Sequence, residues 1–120
     1  MRVIALALLA AFFLAGCGGG SSVAQPAGSI KVTMTEFKFD PETLNSPSGK
    51  VVFFLVNAGT ASHNLIIRDN ASKRIAGSNL VSAGDSLVFT VDSIAAGTYT
   101  IFCDQPGHEG SGMKGTLTVT

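Results

Sequence analysis

Short runs of alternating apolar and polar residues, separated by turn-forming residues, occupy most of the chain from residue 30 onward. Successive side chains of a strand point to opposite faces, so these runs predict half-buried strands. Residues 51–56 (VVFFLV) are continuously apolar, as expected of a central strand buried on both faces. No stretch of this region has the long amphipathic period of a helix. The pattern therefore predicts an all-β protein and favours a β-sandwich.

The strand signal falls on six segments: 30–39, 51–56, 63–68, 86–91, 99–103 and 114–120. Within the first, a change of phase between Met34 and Phe37 predicts a bulge or a bend. Asp69-Asn70 predicts a turn. Residues 71–83 have no regular pattern, and we expect at most a short helical turn there.

The segment CDQPGHEGSGM, residues 103–113, gathers a cysteine, a histidine and a methionine within eleven residues. Cys103 alternates with Ile101 on an apolar face, so its side chain is expected to point inward at the end of a strand. Pro106-Gly107 predicts a turn, after which the chain presents His108 and reaches Met113 at the start of the last strand. The segment is thus predicted to form a hairpin tip that carries three metal-binding side chains.

His63 is the other of the two histidines in the chain. It alternates with Leu65 and Ile67, so it too is expected to point inward, and a sandwich can bring it beside the hairpin tip. Zinc would accept a thiolate and two imidazoles but gains nothing from a thioether. Two imidazoles and a thiolate with a weak axial methionine are the arrangement of a blue-copper electron-transfer site.

The N-terminus predicts an export signal. Arg2 supplies a positive charge, and the apolar run of residues 3–15 is too short to span a bilayer as a stable helix. Residues 14–17 (LAGC) resemble the lipobox of bacterial lipoproteins, which implies cleavage before Cys17 and acylation of that cysteine. An ordinary signal peptide with an unrelated cysteine is the alternative. We predict a signal peptide over 1–16 and a protein held by lipid on the extracytoplasmic face of a cell-envelope membrane, on the periplasmic or cell-surface side.

Residues 18–28 (GGGSSVAQPAG) contain almost no core-forming side chains and predict a flexible tether with a root-mean-square span of roughly 20 Å. The predicted organisation is a lipidated Cys17 with its tether over 17–28, and one folded domain over 29–120. If Cys17 is acylated, Cys103 is an unpaired thiol in an oxidising compartment, which metal ligation would protect. Without Arg2 the net charge is about −1, and no basic stripe is present, so nucleic acid is not an expected partner.

The ligand segment and its surroundings resemble the cupredoxins, the plastocyanin/azurin-like blue copper proteins. The pattern C-x4-H-x4-M lies between residues 97–102 (GTYTIF) and 114–117 (KGTL), and Asn57-x-Gly59 with His63-Asn64 lies upstream. The ligand spacing resembles that of the auracyanin-like branch, and the resemblance covers nearly all of residues 30–120. It implies a Greek-key β-sandwich of about eight strands with one type 1 copper ion near one end. The implied function is one-electron shuttling between redox partner proteins.

The resemblance also assigns roles to individual residues. His63, Cys103 and His108 would be the strong copper ligands, with His108 nearest to solvent, and Met113 the weak axial ligand.

Three neighbours of these ligands acquire expected roles in the same way. Asn64 matches the asparagine that links the two ligand segments by hydrogen bonds. The position after the cysteine is commonly Ser or Thr in the family but is Asp104 here, which leaves the acceptor of that bond open. The backbone carbonyl of Ser62 would be a second axial contact.

Other functions fit these residues less well. A copper enzyme needs further histidines, and the binuclear site of terminal oxidases needs two cysteines on one loop. A copper-handling protein without an electron-transfer role is the alternative, although such proteins usually carry exposed Met- and His-rich segments. A non-metal adhesive β-sandwich is a further alternative. We predict a monomeric electron carrier that is not an enzyme, with an unidentified donor and acceptor.

Overall fold

The computed structural model of the chain describes residues 23–120, and these form an all-β structure. The predicted signal peptide and Cys17 lie outside the described residues. No helix within residues 23–120 is long and apolar enough to cross a membrane. The strands are β1 (Ile30–Thr35), β2 (Lys38–Asp40), β3 (Thr43–Ser46), β4 (Gly49–Asn57), β5 (Ile66–Arg68), β6 (Arg74–Gly77), β7 (Ser86–Ile94), β8 (Gly97–Phe102) and β9 (Lys114–Val119).

The strands form two sheets that pack face to face. One has four strands in the order β2-β1-β4-β7, and the other has five in the order β3-β9-β8-β5-β6. β1 pairs in parallel with β4, and β3 pairs in parallel with β9, whereas the other pairings are antiparallel. The predicted β-sandwich is therefore confirmed, with nine strands rather than about eight.

The core lies between the sheets and is apolar throughout. β4, the apolar run of the sequence, is central in its sheet, and Phe53 and Leu55 on it are fully buried. Ile67, Ile101 and Leu117 of the opposite sheet are also fully buried in this core. Each such side chain contributes about 1.5–3 kcal/mol by leaving water. This packing makes the sandwich a stiff support for the loops at its ends.

The phase change in the first predicted strand is a turn, not a bulge. Met34 pairs with Phe39, and Thr35 pairs with Lys38, so residues 36–37 join β1 to β2 as a hairpin turn. Met34 and Phe39 are both fully buried, which explains why the apolar positions change phase across the turn. The sequence predicted a bulge or a bend here but not a full reversal of the chain, because a two-residue turn and a bulge have the same effect on the apolar pattern.

The region between residues 63 and 83 also differs from the prediction. Strand β5 begins only at Ile66, and His63 lies outside it, in an isolated bridge with Val81. Residues 71–83 contain β6, an edge strand that pairs with β5 alone. Its only large apolar residue, Ile75, is 38% exposed, so β6 has no alternating pattern that the sequence could reveal. β3 was missed for a similar reason, since only one of its four residues is apolar.

The two ends of the sandwich differ. β1, β4 and β8 end, and β9 begins, at the end where residues 57–63 and 103–113 form loops. Near the other end, Gly28 and Ile30 line a shallow cavity with residues 45–47 and 50–52, close to the start of β4. The N-terminal segment therefore joins the domain away from the two loops that carry the predicted metal ligands.

Candidate metal centre

Three predicted ligand side chains meet at the loop end of the sandwich. The ligand atoms of His63, Cys103 and His108 all lie within 4.8 Å of one another. The Nδ1 atoms of the two histidines are 3.2 Å apart, and Cys103 Sγ is 3.5 Å from His108 Nδ1. His63 and Cys103 are fully buried, whereas His108 is partly exposed. The sequence predicted this convergence, and it comes from segments 40 residues apart.

The loop from Cys103 to Met113 is built from its own backbone hydrogen bonds. His108 N donates to Gln105 O at 3.0 Å, and Met113 N donates to His108 O at 3.0 Å. Cys103 N donates to Met113 O at 3.1 Å and closes the loop. Gly107 has a φ of 81°, a left-handed conformation that glycine adopts without steric cost. These turns bring Met113, which is fully buried, next to Cys103 along the backbone.

The loop that leads to His63 is held mainly by the buried side chain of Asn57. Its Nδ2 donates to Ala61 O at 2.7 Å and to Val81 O at 2.8 Å, and its Oδ1 accepts from Gly59 N at 2.9 Å. His63 itself exchanges two backbone hydrogen bonds with Val81. Asn57 therefore satisfies three backbone groups, two in its own loop and one at Val81, and fixes the approach to His63.

Glu36, in the turn between β1 and β2, touches the same loop and was not predicted as a site residue. Its Oε1 accepts from Ala61 N at 2.7 Å, from Thr60 N at 2.8 Å and from His63 Nε2 at 3.0 Å. A Cβ atom at Gly59 would lie 2.5 Å from this oxygen, so the glycine makes room for the carboxylate. The hydrogen bond from Ala61, with those from Thr60 and His63, lowers the pKa of Glu36 to about 2. Glu36 is thus an anion at neutral pH.

Phe37, the other residue of this turn, packs against the second histidine. Its ring centroid lies 5.0 Å from that of His108, in an edge-to-face arrangement at 67°. Phe37 is 41% exposed, so it covers part of His108 while remaining at the surface. One short turn therefore contacts both histidines. No local signal in the sequence marks these contacts, because Glu36 precedes His63 by 27 residues.

Asn64 and Asp104 join the two ligand segments. Asn64 Nδ2 donates to Asp104 Oδ1 at 2.7 Å, and Asp104 N donates to Asn64 Oδ1 at 3.1 Å. The carboxylate of Asp104 thus accepts the cross-segment bond that the sequence left open. Arg74 Nη1 lies 3.3 Å from Asp104 Oδ2 and offsets part of its charge. Ser62, the expected source of a further axial contact, is an exposed residue next to His63.

A second ionic contact holds the far side of the 103–113 loop. The guanidinium of Arg68, on β5, forms an ion pair with the carboxylate of Glu109. The same guanidinium lies 4.3 Å from the ring centroid of Phe102, a cation–π contact. Glu109, the residue after His108, is thereby held against the five-stranded sheet by this ion pair.

The donor set of this cluster fits copper. A carboxylate only accepts hydrogen bonds, so the contact with Glu36 places the proton of neutral His63 on Nε2 and leaves the Nδ1 lone pair free. Within residues 23–120 Cys103 forms no disulfide, so its sulfur is available as a metal ligand. One thiolate and two imidazoles, buried and already close together, are the strong ligands that a blue-copper site uses.

Comparison with known proteins agrees with this geometry. A β-sandwich with a cysteine and two histidines converging at one end defines the class of small copper-binding electron carriers. The model of the plastocyanin/azurin family of copper binding proteins matches residues 26–120. The chain therefore belongs to the plastocyanin/azurin family, and its cofactor is one type 1 copper ion.

Individual relatives support membership of this family and a relation to the auracyanins. Plastocyanin of Scenedesmus fuscus is 34% identical over 86 residues, which cover 68% of this chain and 85% of the relative. Auracyanin-B of Chloroflexus aurantiacus is 38% identical over 79 residues, 55% of this chain and 34% of that protein. The crystal structure of dithionite-reduced auracyanin from Roseiflexus castenholzii superimposes with a TM-score of 0.69 at 23% identity, covering 80% of this chain and 99% of that one. Family and site together support blue-copper electron transfer.

Proposed function

We propose that this protein is a membrane-anchored carrier of single electrons between redox proteins, with copper held by His63, Cys103 and His108 and, more weakly, by Met113. The observation that carries the proposal is the convergence of three donor atoms within 4.8 Å in the buried end of a sandwich of the plastocyanin/azurin family. Copper bound there supplies one-electron exchange between Cu(I) and Cu(II).

The chain's own part in this function is to hold the ligands still. Asn57 and Glu36 hold His63 in place. The turns of the 103–113 loop hold His108 and Met113. The hydrogen bonds between Asn64 and Asp104 join the two ligand segments. Ligands that keep their positions in both oxidation states leave little to rearrange when an electron moves. His108 is partly exposed, so we assign the approach of redox partners to its side of the domain.

The proposed carrier is not an enzyme. The chain contains two histidines, and the proposed site uses both, so none is left to build a second copper centre. We also propose that the protein acts as a monomer, with a donor and an acceptor that are separate redox proteins.

Loading the purified chain with Cu(II) tests the copper proposal. We expect one copper per chain and an intense blue or green colour from thiolate-to-copper charge transfer, and we expect Cys103→Ala to abolish the colour. A colourless complex, or no retained copper, would contradict the proposal. Repeated reduction and reoxidation with copper retained is expected of a carrier, whereas release of copper on reduction would favour a copper-handling protein.

The membrane anchor rests on the LAGC motif at residues 14–17. We propose that the mature chain begins at an acylated Cys17 and sits on the extracytoplasmic face of a cell-envelope membrane. Mass spectrometry of the mature N-terminus and fractionation of cells test this, and Cys17→Ser is expected to block processing. A mature N-terminus beyond Gly18, on protein recovered in the aqueous fraction, would refute the anchor without affecting the copper proposal.

A further inference from the structure

The carboxylate of Glu36 occupies the position behind His63 at which the non-ligating nitrogen of a metal-bound imidazole is usually hydrogen-bonded. His63 is fully buried, and its Nε2 lies 3.0 Å from Glu36 Oε1, while its Nδ1 points toward His108 Nδ1 at 3.2 Å. The two nitrogens of one ring therefore have separate tasks. One faces the cluster of donor atoms, and the other faces a carboxylate.

Building on the proposed function, we propose that Glu36 is a positioning residue that sets the affinity of the site for Cu(II) over Cu(I) through His63. A carboxylate that accepts from the distal N–H fixes the tautomer and the orientation of a ligating imidazole and makes it a better electron donor. A more basic ligand and a nearby negative charge both favour the more positive Cu(II) ion.

Glu36 has the geometry of a fixed acceptor. Its Oε1 accepts two backbone hydrogen bonds, from Thr60 at 2.8 Å and from Ala61 at 2.7 Å, in addition to the one from His63. These N–H groups belong to the loop that leads into His63, so one carboxylate oxygen joins the loop to the imidazole. Within the described part of the chain no ion pair joins Glu36 to Lys or Arg, whereas Asp104 on the other side of the site has Arg74 at 3.3 Å.

A purely structural role is the competing explanation. Glu36 could serve only to hold residues 60–61, with its contact to His63 as a by-product. The two roles separate in Glu36→Gln, because the amide oxygen of Gln can accept the same hydrogen bonds but carries no charge. A structural acceptor survives this change, whereas an electrostatic and basicity effect on His63 does not.

The test measures the reduction potential and the Cu(II) affinity of the full-length chain in detergent, as wild type, Glu36→Gln and Glu36→Ala. Asp92→Asn is the matched control, since Asp92 is exposed on β7, toward the end of that strand away from the site. We expect Glu36→Gln to shift the equilibrium toward Cu(I) by about three- to tenfold, which is about 30–60 mV for a one-electron couple. Glu36→Ala, which also loses the hydrogen bonds, should weaken Cu(II) binding by about 10–100-fold.

A second measurement needs neither a variant nor copper. In the ¹⁵N-labelled apo chain, NMR is expected to show neutral His63 with its proton on Nε2 and that proton protected from exchange. A His63 protonated on Nδ1 instead would overturn the proposal, and this result can be obtained even if the Gln variant does not fold. A Glu36→Gln potential that moves no further than that of Asp92→Asn would also overturn it, while a blue wild type would leave the proposed function standing. A wild type that takes up no copper would instead remove the proposed function itself.

Discussion

The two segments that supply the ligands are held in different ways. The 103–113 segment supplies three proposed ligands and is shaped by hydrogen bonds between its own residues, such as His108 N to Gln105 O and Met113 N to His108 O. The 57–64 segment supplies only His63 and is shaped by side chains, namely Asn57 from within and Glu36 from 27 residues upstream. A ligand loop can thus be rigid through local turns or through distant anchors, and the two kinds respond differently to mutation.

The largest expected effect separates the two histidines. His63→Gly and His108→Gly should both lose the blue colour, because each removes one of the strong ligands. His108 is partly exposed, so added imidazole can reach its vacated position and should restore the colour. His63 is fully buried behind its loop, so its variant should need far more imidazole, about tenfold or greater. Absorbance titrations with imidazole measure this, and equal rescue of the two variants would show that their difference in burial does not matter.

The next largest effect concerns Met113, at the end of the 103–113 segment. Met113→Leu should keep the blue colour, because the three strong ligands remain, and it should raise the reduction potential. Loss of a thioether donor disfavours Cu(II) more than Cu(I), and we expect a shift of about 59 mV, or tenfold in the equilibrium, or more. Potentiometric titration provides the number, and thermal unfolding of the apo variant is the control for packing. Complete loss of copper by a well-folded variant would contradict a weak axial role.

The smallest expected effect concerns the carboxylate beside the thiolate. Asp104→Ser should raise the potential by about 10–45 mV and keep the colour, because a negative charge near the site favours Cu(II). Arg74 offsets part of that charge at 3.3 Å, so Arg74→Gln should lower the potential by a similar or smaller amount. Both shifts should shrink at high salt, since the two side chains are 36% and 57% exposed. Titrations at low and high salt decide this, and an unchanged or lower potential in Asp104→Ser would exclude the effect.

The contrast between the 103–113 and 57–64 segments also explains how much of the site could be predicted from the sequence. Alternation placed Cys103 and His63 on inward faces, and the Pro-Gly turn placed His108 beyond the end of a strand, because these are consequences of a few neighbouring residues. Glu36 and Phe37 could not be found in this way, because their contacts depend on how β1 pairs with β4 and where the hairpin turn falls. A change of phase revealed that the chain deviates at residues 34–37 but not that it turns back there.

The strands show the same limit. β4 was predicted from its apolar run at residues 51–56, where every side chain is buried or half-buried. β3 and β6 were not predicted, because both lie at the edge of the five-stranded sheet and bury few large side chains. Short edge strands are fixed by backbone pairing with a neighbour, and backbone pairing leaves little trace in the choice of side chains.

The N-terminal segment enters the domain at the end opposite to the proposed metal ligands. Gly28 and Ile30 lie near the start of β4, while His63, His108 and their supporting side chains lie beyond its end. An attachment made through the N-terminal segment, whether a lipid, a fusion partner or a chemical linker to an electrode, therefore enters the domain at the end opposite to the partly exposed edge of His108.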